Sequence, residues 1–471
     1  MVLGMWFACA TLVTILLLLI LRRRNSCITN LPSGSLGLPI AGETLHMLMD
    51  MEGFYEQRLS RYGDIFKTHI YGCATVVSMN AELNKFILMN EGKMFISNFP
   101  ESLHKIFGEW NMSKLSGVQH KRRRGIVLGL SRMTAANEKS LLRGVEGITK
   151  QYLRSWHGRI LHVQDETEKI TFAIICNLLI SMVSAEEVNK LKKDFSELND
   201  GILSFGYNIP GTAFWKAMKA RKRIIHKLHW ILQRRRSATA SPASLDVLDT
   251  LLDAVKTGEI DKAYTTEEIL DFLMGILFAA YETTATTMTM AVKFLTSNAR
   301  ALREIRNEHA RIKKAKQPGA MLTWKDYEMM TFTQNVIDET LRLSSPTPIL
   351  HRRAIQNVTY KGITIPKGWK ILVHNAVVHK NSSMYPDPSK FNPWRWQNHN
   401  GNECYFAPFG YGIRHCPGDD LAKLKIAVFL HHLVTHYSWE PKEGKKQRYF
   451  PNVTKQTGIY VLAKEMDSQH L

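Results

Sequence analysis

The sequence predicts a mainly α-helical protein with a small β-sheet, an α+β arrangement. Thr265 and Glu268 stand at capping-box spacing ahead of about thirty residues free of proline, enough for a helix of roughly 50 Å. Most of the remaining body reads as helix, and strand patterns concentrate in two places. These are "IFKTHIYGCATVVSM" and "NVTYKGITIPKGWKILVHNAVV", with turn residues at Lys361-Gly362 and Pro366-Lys367-Gly368. A chain of 471 residues suffices for one large domain or two to three ordinary ones, and no internal repeat is visible. We expect one large helical domain bearing the sheet.

Taken in order, the N-terminal run "VLGMWFACATLVTILLLLIL", Val2 to Leu21, carries no charge over about twenty residues, the length of a membrane-spanning helix. Arg22, Arg23 and Arg24 follow it, which places the body in the cytosol. A cleaved secretory signal, the alternative, has a shorter apolar core, a basic front and a small-residue cleavage site. "LPSGSLGLPIAGETL" then reads as a stiff, turn-rich connector. The expected division is an anchor and basic stop over 1–24, a proline/glycine-rich hinge over 25–45, and the body over 46–471.

Six scattered cysteines, Cys9, Cys27, Cys73, Cys176, Cys404 and Cys416, do not form a disulfide framework, and Cys176 reads as a buried core residue. The net charge of +20 favours an anionic membrane surface or an acidic protein partner. No zinc-finger spacing or RNA-binding signature supports nucleic acid. Lys216 to Arg236 reads as a basic amphipathic helix, with either a membrane-surface contact or a solvated face. "RRRSATASPASL", Arg234 to Leu245, reads as a loop.

The stretch "FAPFGYGIRHCPGDDLAK" is the most informative. Pro417 suits the first turn of a helix, and helical apolar spacing follows, which puts Cys416 at a helix N-terminus. There the dipole and free N–H groups stabilise a thiolate. Gly410, Gly412 and Gly418 let backbone approach something flat and large, Phe409 covers the sulphur, and Arg414 pairs an acidic group. Together they describe a haem held by one thiolate, with Arg414 at a propionate. A structural cysteine in a glycine-rich turn is the alternative. No paired cysteine or histidine stands at zinc spacing, and His431 and His432 read as helix residues.

The run Phe409-Gly410-x-Gly412-x-Arg414-x-Cys416-x-Gly418 resembles the haem-binding loop of the cytochrome P-450 superfamily, with no position missing. The resemblance covers essentially the whole chain. It implies the cytochrome P-450 fold with a single-pass N-terminal anchor, and haem b (iron protoporphyrin IX) with Cys416 as the metal ligand. "AAYETT", Ala279 to Thr284, resembles the oxygen-activation motif. Its small residues leave room over a haem, and Glu282 and Thr283 become the catalytic acid–alcohol pair. Ala280 stands where glycine is usual, which is expected to narrow the groove slightly. An ordinary buried helix is the alternative.

Glu339 and Arg342 share a helix face that ends before Pro346, and the resemblance joins them to Arg395 of "FNPWRWQ" in a buried structural triad. It also makes Arg352 a propionate partner, with Arg353 as the neighbouring choice. In "GVQHKRRRG", His120 replaces the usual tryptophan and Arg124 keeps the basic position four residues on, so both are expected at the propionates. An exposed basic helix turn is the other reading. Family position places Phe278, Ala279, Thr283, Thr347, Ile349, Leu350 and part of "VTKQTG" around the substrate. "NARAL" departs from a usual histidine-proline.

"GLPIAGET", "NIPGTAFWKAMKARK", "FNPWRWQ" and "AVFLHHLV" resemble the plant clan of sterol, brassinosteroid and triterpenoid oxidases. The resemblance implies a monooxygenase of the endoplasmic reticulum membrane, catalytic domain in the cytosol, hydroxylating a small hydrophobic polycyclic isoprenoid. Electrons are expected from NADPH through a membrane-bound flavoprotein reductase. Three other readings stand beside it: a gibberellin or diterpenoid oxidase, a reductase-independent haem-thiolate isomerase or dehydratase, and a non-catalytic haem or lipid-binding protein.

Overall fold

The structure is a computed structural model that describes residues 29–38, 42–131, 135–202, 204, 206–237, 246–256, 264–397, 405–443 and 459–466. The expected anchor, the first hinge residues, the loop at 238–245 and "VTKQTG" lie outside the described residues.

The described residues divide into two compact units. The first draws on Met1–Asn98, Ile349–Val378 and Tyr411–Arg414 and holds the strands the sequence announces. "IFKTHIYGCATVVS" forms an antiparallel hairpin of β1 (Ile65–Ile70) and β2 (Cys73–Ser78). Tyr71 and Gly72 turn it with φ of 51° and 71°, the left-handed turn that matches strand twist. Chain order then gives β3 (Phe95–Ser97), β4 (Ile160–His162), β5 (Ile349–Ala354), β6 (Val358–Tyr360), β7 (Ile363–Ile365) and β8 (Lys370–His374). β6 and β7 form a second hairpin about Lys361-Gly362. β8 runs parallel to β2 and antiparallel to β5, completing the sheet order β1-β2-β8-β5-β3. The strand pattern stops short of the quoted run's end, because Asn375–Val378 is a short helix. Val76 belongs to a core cluster with Leu83, Ile87, Ile371 and Val373, while Val77 belongs to another with Phe54, Phe66 and Met79. Alternate residues of β2 thus bury opposite faces of the sheet.

The second unit comprises Phe99–Pro348, His379–Gly410 and His415–Leu471. Its axis is the 32-residue helix Thr266–Ser297, and both halves of the Thr265–Glu268 capping box form. That helix is long and apolar enough to cross a membrane, but it is the core element, with 61% of its apolar window buried. Val163–Ile180 packs along it, carrying Phe172, Ile175 and Cys176 into the core. Cys176 is wholly buried, which pushes its thiol up. Strands β4, β10 (Tyr460–Glu465) and β9 (Tyr437–Lys442) form a separate sheet in that order.

The basic helix Ala213–Ser237 turns Phe214, Ala217, Ala220, Ile224 and Leu228 inward. Much of its charge is answered by neighbouring acids: Arg223 by Asp194 and Glu197 at 2.6 Å each, Lys227 by Glu187 at 2.5 Å, and Arg235 by Asp246 at 2.9 Å.

A buried histidine pair ties the helix Ala299–Lys314 to the helix Asp419–His436. His309 Nδ1 lies 3.0 Å from His431 Nδ1, and His309 Nε2 lies 3.0 Å from Thr333 Oγ1. One proton serves the two facing nitrogens, so protonating both rings sets N–H against N–H. Burial holds His309 down to about 3 and His431 well below the ordinary range. Because the folded state resists these protons, the stability is fully present above about pH 6.5 and is lost as pH falls toward the folded values. We expect unfolding free energy to drop by up to about 1.4 kcal/mol per pH unit for each ring between pH 6 and 4. Denaturant titrations at stepped pH check this, and His309→Gln should flatten the slope.

Candidate haem-thiolate site

The cysteine loop of the second unit is fixed at both ends. Ala407 N–H donates to His379 Nε2 at 3.1 Å, and the Phe406 ring lies tilted against Trp396 with ring centres 4.4 Å apart. Cys416 N–H donates to the Phe409 carbonyl at 2.9 Å, closing the loop on the aromatic the sequence singled out. The following helix runs Asp419–His436 with Gly418 as its N-cap, so Pro417 precedes the first turn rather than occupying it. Asp419 and Asp420 fill that turn, where the positive dipole end favours acids. Cys416 is half-buried at this helix start. Desolvation pushes its thiol up, while the Gly418 N–H, Arg124 and Lys425 favour the thiolate.

Arg124, on the helix Gly117–Ser131, donates from Nε and Nη2 to the His415 carbonyl at 3.3 and 3.2 Å. It therefore grips the residue before the cysteine. His120 lies buried one turn earlier. Arg123, which the sequence did not distinguish from its neighbours, is the buried one of the three arginines. It pairs with Glu268 at 3.1 Å and donates to the Trp110 carbonyl.

Glu339, Arg342 and Arg395 come together. Glu339 and Arg342, both fully buried, meet in a two-pronged pair at 2.8 and 2.9 Å, and Arg395 Nε reaches the same carboxylate at 3.0 Å. Trp396 Nε1 and Asn392 N–H complete the ring of donors at 3.0 and 2.9 Å, neither of them foreseen from sequence. Arg342 also donates to the carbonyls of His379 and Pro388 at 2.8 Å each. His379 thus links the triad to Ala407 at the start of the cysteine loop.

In the first unit, β5 alternates burial, so Arg352 points inward and Arg353 outward. Pairing of β5 with β3 sets Arg352 opposite Ser97, whose N–H donates to Glu91 at 3.0 Å. Glu91 then takes Arg352 at 2.7 Å and Arg414 at 3.1 Å. Desolvation lowers both guanidinium groups, with Glu91 acting the other way. Two cations against one buried carboxylate leave a surplus positive charge, suited to an anionic group. Gly412 has φ +70°, and a Cβ there would lie 2.8 Å from the Leu88 carbonyl. Its glycine requirement thus comes from packing against the protein's own backbone.

On the Thr266–Ser297 helix, Ala279 and Thr283 are exposed among half-buried and buried neighbours, one turn apart. Glu282 borders this strip and accepts from Asn199 Nδ2 at 2.9 Å, while Thr283 Oγ1 donates to the Ala279 carbonyl at 2.9 Å. Ala280 is half-buried and packs against the apolar core beside Ala279. Phe278 rests on Phe107 with ring centres 4.8 Å apart. Thr347 is exposed, and Ile349 and Leu350 are half-buried at the start of β5.

A soft sulphur at a helix start, supported by an N–H and two cations, fits iron far better than a hard-metal site. That donor set, in the same unit as the long helix Thr266–Ser297, suits a haem held by one thiolate. The family model "Cytochrome P450" matches residues 32–463, and the chain belongs to that family. It is 37% identical over 465 residues to a cholesterol 22-monohydroxylase, CYP90B52, of Paris polyphylla, covering 96% of each chain. A steroid (22S)-hydroxylase of Oryza sativa subsp. indica is 38% identical, over 91% of this chain and 87% of its own. Cytochrome P450 85A1 of Oryza sativa subsp. japonica is 36% identical, over 97% and 98%. Among solved structures, the retinoic acid-bound cyanobacterial CYP120A1 superposes with a TM-score of 0.83 at 26% identity, over 93% of this chain and 99% of that one. The protein is accordingly a cytochrome P450 monooxygenase that binds haem b and receives NADPH electrons through a reductase.

Truncating Arg342 to alanine leaves Glu339 buried with a partner removed, and is expected to cost roughly 3–5 kcal/mol. Thermal denaturation of the holoprotein measures it. A loss below about 1 kcal/mol would show that the triad does not hold this region.

Proposed function

We propose that this monooxygenase hydroxylates a polycyclic isoprenoid of the sterol or brassinosteroid class. The observation that carries the reading is full-length similarity to a cholesterol 22-monohydroxylase and to steroid (22S)-hydroxylases. The same similarity favours a sterol over a diterpenoid. The acid–alcohol pair favours oxygen chemistry over reductase-independent rearrangement.

Cys416 is the proposed iron ligand, with Phe409 and Gly418 beside the sulphur. His120, Arg124, Arg352 and Arg414 are proposed to serve the propionates. Haem b, when bound, supplies dioxygen activation and insertion into a C–H bond. The chain supplies proton control and orientation. Glu282 Oε1, held by Asn199, carries a proton to the exposed strip, and Thr283 Oγ1 hands it on. Phe278, Ala279, Thr347, Ile349 and Leu350 are proposed to face the substrate. The uncharged run Val2 to Leu21 followed by Arg22, Arg23 and Arg24 supports the proposed division into anchor (1–24), hinge (25–45) and catalytic domain (46–471), attached by a single pass to the endoplasmic reticulum membrane with the body in the cytosol. A membrane-bound flavoprotein reductase is the proposed electron donor, and the net charge of +20 suits an acidic docking face.

Holoprotein titrated with cholesterol should change spin state, and with NADPH and reductase it should form a hydroxylated product detectable by mass spectrometry. A response to diterpenes with none to sterols would move the reading to a diterpenoid oxidase. Glu282→Gln and Thr283→Ala should each leave sterol affinity within about threefold and lower turnover by about 100-fold. Unchanged turnover would remove the pair from the mechanism.

A further inference from the structure

Asp271, Gly275 and Phe278 lie on one face of the helix Thr266–Ser297, spaced by four and then three residues. All three meet a single stretch of chain at the end of the helix Glu101–Phe107. The Phe278 ring packs on Phe107. Gly275 leaves room for the buried Asn111, because a Cβ there would collide with Asn111 Nδ2. Asp271 accepts from the Trp110 N–H at 3.2 Å. Gly108 permits that approach: a Cβ on it would overlap the Asp271 carboxylate, and its φ of +85° is one that glycine adopts freely. The stretch Phe107–Asn111 is thus moulded to one stripe of the long helix.

A second helix closes the arrangement. Arg221, on Ala213–Ser237, donates from Nη2 to Asp271 Oδ1 at 2.9 Å and from Nε to the Ile106 carbonyl at 2.7 Å. One planar guanidinium therefore holds both the carboxylate and the main chain beside Phe107, a fork that an ammonium group does not reproduce. Arg123 takes the Trp110 carbonyl at 3.1 Å, so Trp110 is held at both ends of its main chain. Asp271 is buried, and a buried carboxylate is kept only where donors replace its water. Asp271 also stands about three turns before Glu282, roughly 16 Å along the helix.

We propose that Arg221 and Asp271 are positioning residues, a clasp that seats Phe107 behind Phe278 and so fixes one wall of the substrate cavity. This rests on the reading that Phe278 and Ala279 face the substrate. A wall set in place before the ligand arrives spares the ligand the cost of ordering it. The clasp thereby governs how tightly bulky ligands are held, while proton delivery lies three turns away.

The test uses the full-length holoprotein in detergent, with Asp271→Ala, Arg221→Gln, Arg221→Lys and Gly108→Ala. Arg223→Gln is the control, since Arg223 pairs with Asp194 and Glu197 on the same helix. Two iron-binding probes are titrated by their haem spectra: clotrimazole, a bulky azole, and imidazole, a small one. The four clasp variants should weaken clotrimazole about tenfold, chiefly by faster dissociation, and leave imidazole within twofold. They should also speed amide hydrogen exchange at 106–111. Arg221→Lys keeps the charge and loses the fork, so it should behave as Arg221→Gln does. Arg223→Gln should change none of these. If Asp271→Ala fails to take up haem, Arg221→Gln and Gly108→Ala decide. Clotrimazole affinity within threefold of wild type in the haem-loaded variants overturns the proposal. So does an equal loss for imidazole, or an equal effect of Arg223→Gln. Cholesterol separates the two failures: a wild type whose spin state ignores it sinks the sterol reading, and the azole comparison still decides the clasp.

Discussion

A carboxylate with no access to water persists in a folded protein only when donors replace its hydration, and Glu339 is surrounded by them. Arg342 supplies two hydrogen bonds, and Arg395, Trp396 and Asn392 supply one each. Those donors come from two places in the chain, the helix Thr331–Ser344 and the segment after Pro386. Arg342 gives its remaining hydrogen bonds to the main-chain carbonyls of His379, Pro388 and Lys390. The irregular stretch leading to the cysteine is therefore ordered by charge rather than by secondary structure. His379 carries the order onward, from Ser345 at the triad to Ala407 at the loop.

The long helix meets a different requirement. It stays continuous as a core element and still leaves Ala279 and Thr283 exposed. Thr283, Thr284 and Thr287 donate back to carbonyls one turn earlier, a pattern that loosens helical hydrogen bonds locally. Thr167 and Thr171, on the neighbouring helix Val163–Ile180, donate to the carbonyls of Ala285 and Tyr281. Lys425 adds a cation at Ala280. The strip is thus braced from outside by hydroxyl and ammonium groups, while Ala279 and Thr283 stay exposed.

Local chemistry was legible in the sequence. The capping box, the hairpin turn at Lys361-Gly362, and the end of the helix Thr331–Ser344 before Pro346 all appear where residue types demand them, whereas the Tyr71-Gly72 turn lay unmarked inside a strand-forming run. Glu339 and Arg342 could be paired because three residues separate them on one helix face, whereas Arg395 entered through family resemblance. Partners brought by the fold from far along the chain left no local trace. Glu91 meets Arg352 and Arg414, Asn199 meets Glu282, and Lys425 meets Ala280 across 145 residues. Strands β3 and β4 have three residues each, too few for a period of two to register. In β5 the adjacent arginines hid the alternation that buries Arg352 and exposes Arg353.

The account rests on one bond, from the Cys416 sulphur to iron. The most direct measurement is the carbon monoxide difference spectrum of the reduced holoprotein, taken beside Cys416→Ser. A strongly red-shifted band in wild type, lost in the variant while haem is retained, is the predicted result. A folded, haem-loaded wild type without that band would contradict it, because iron would then be held by something other than this cysteine.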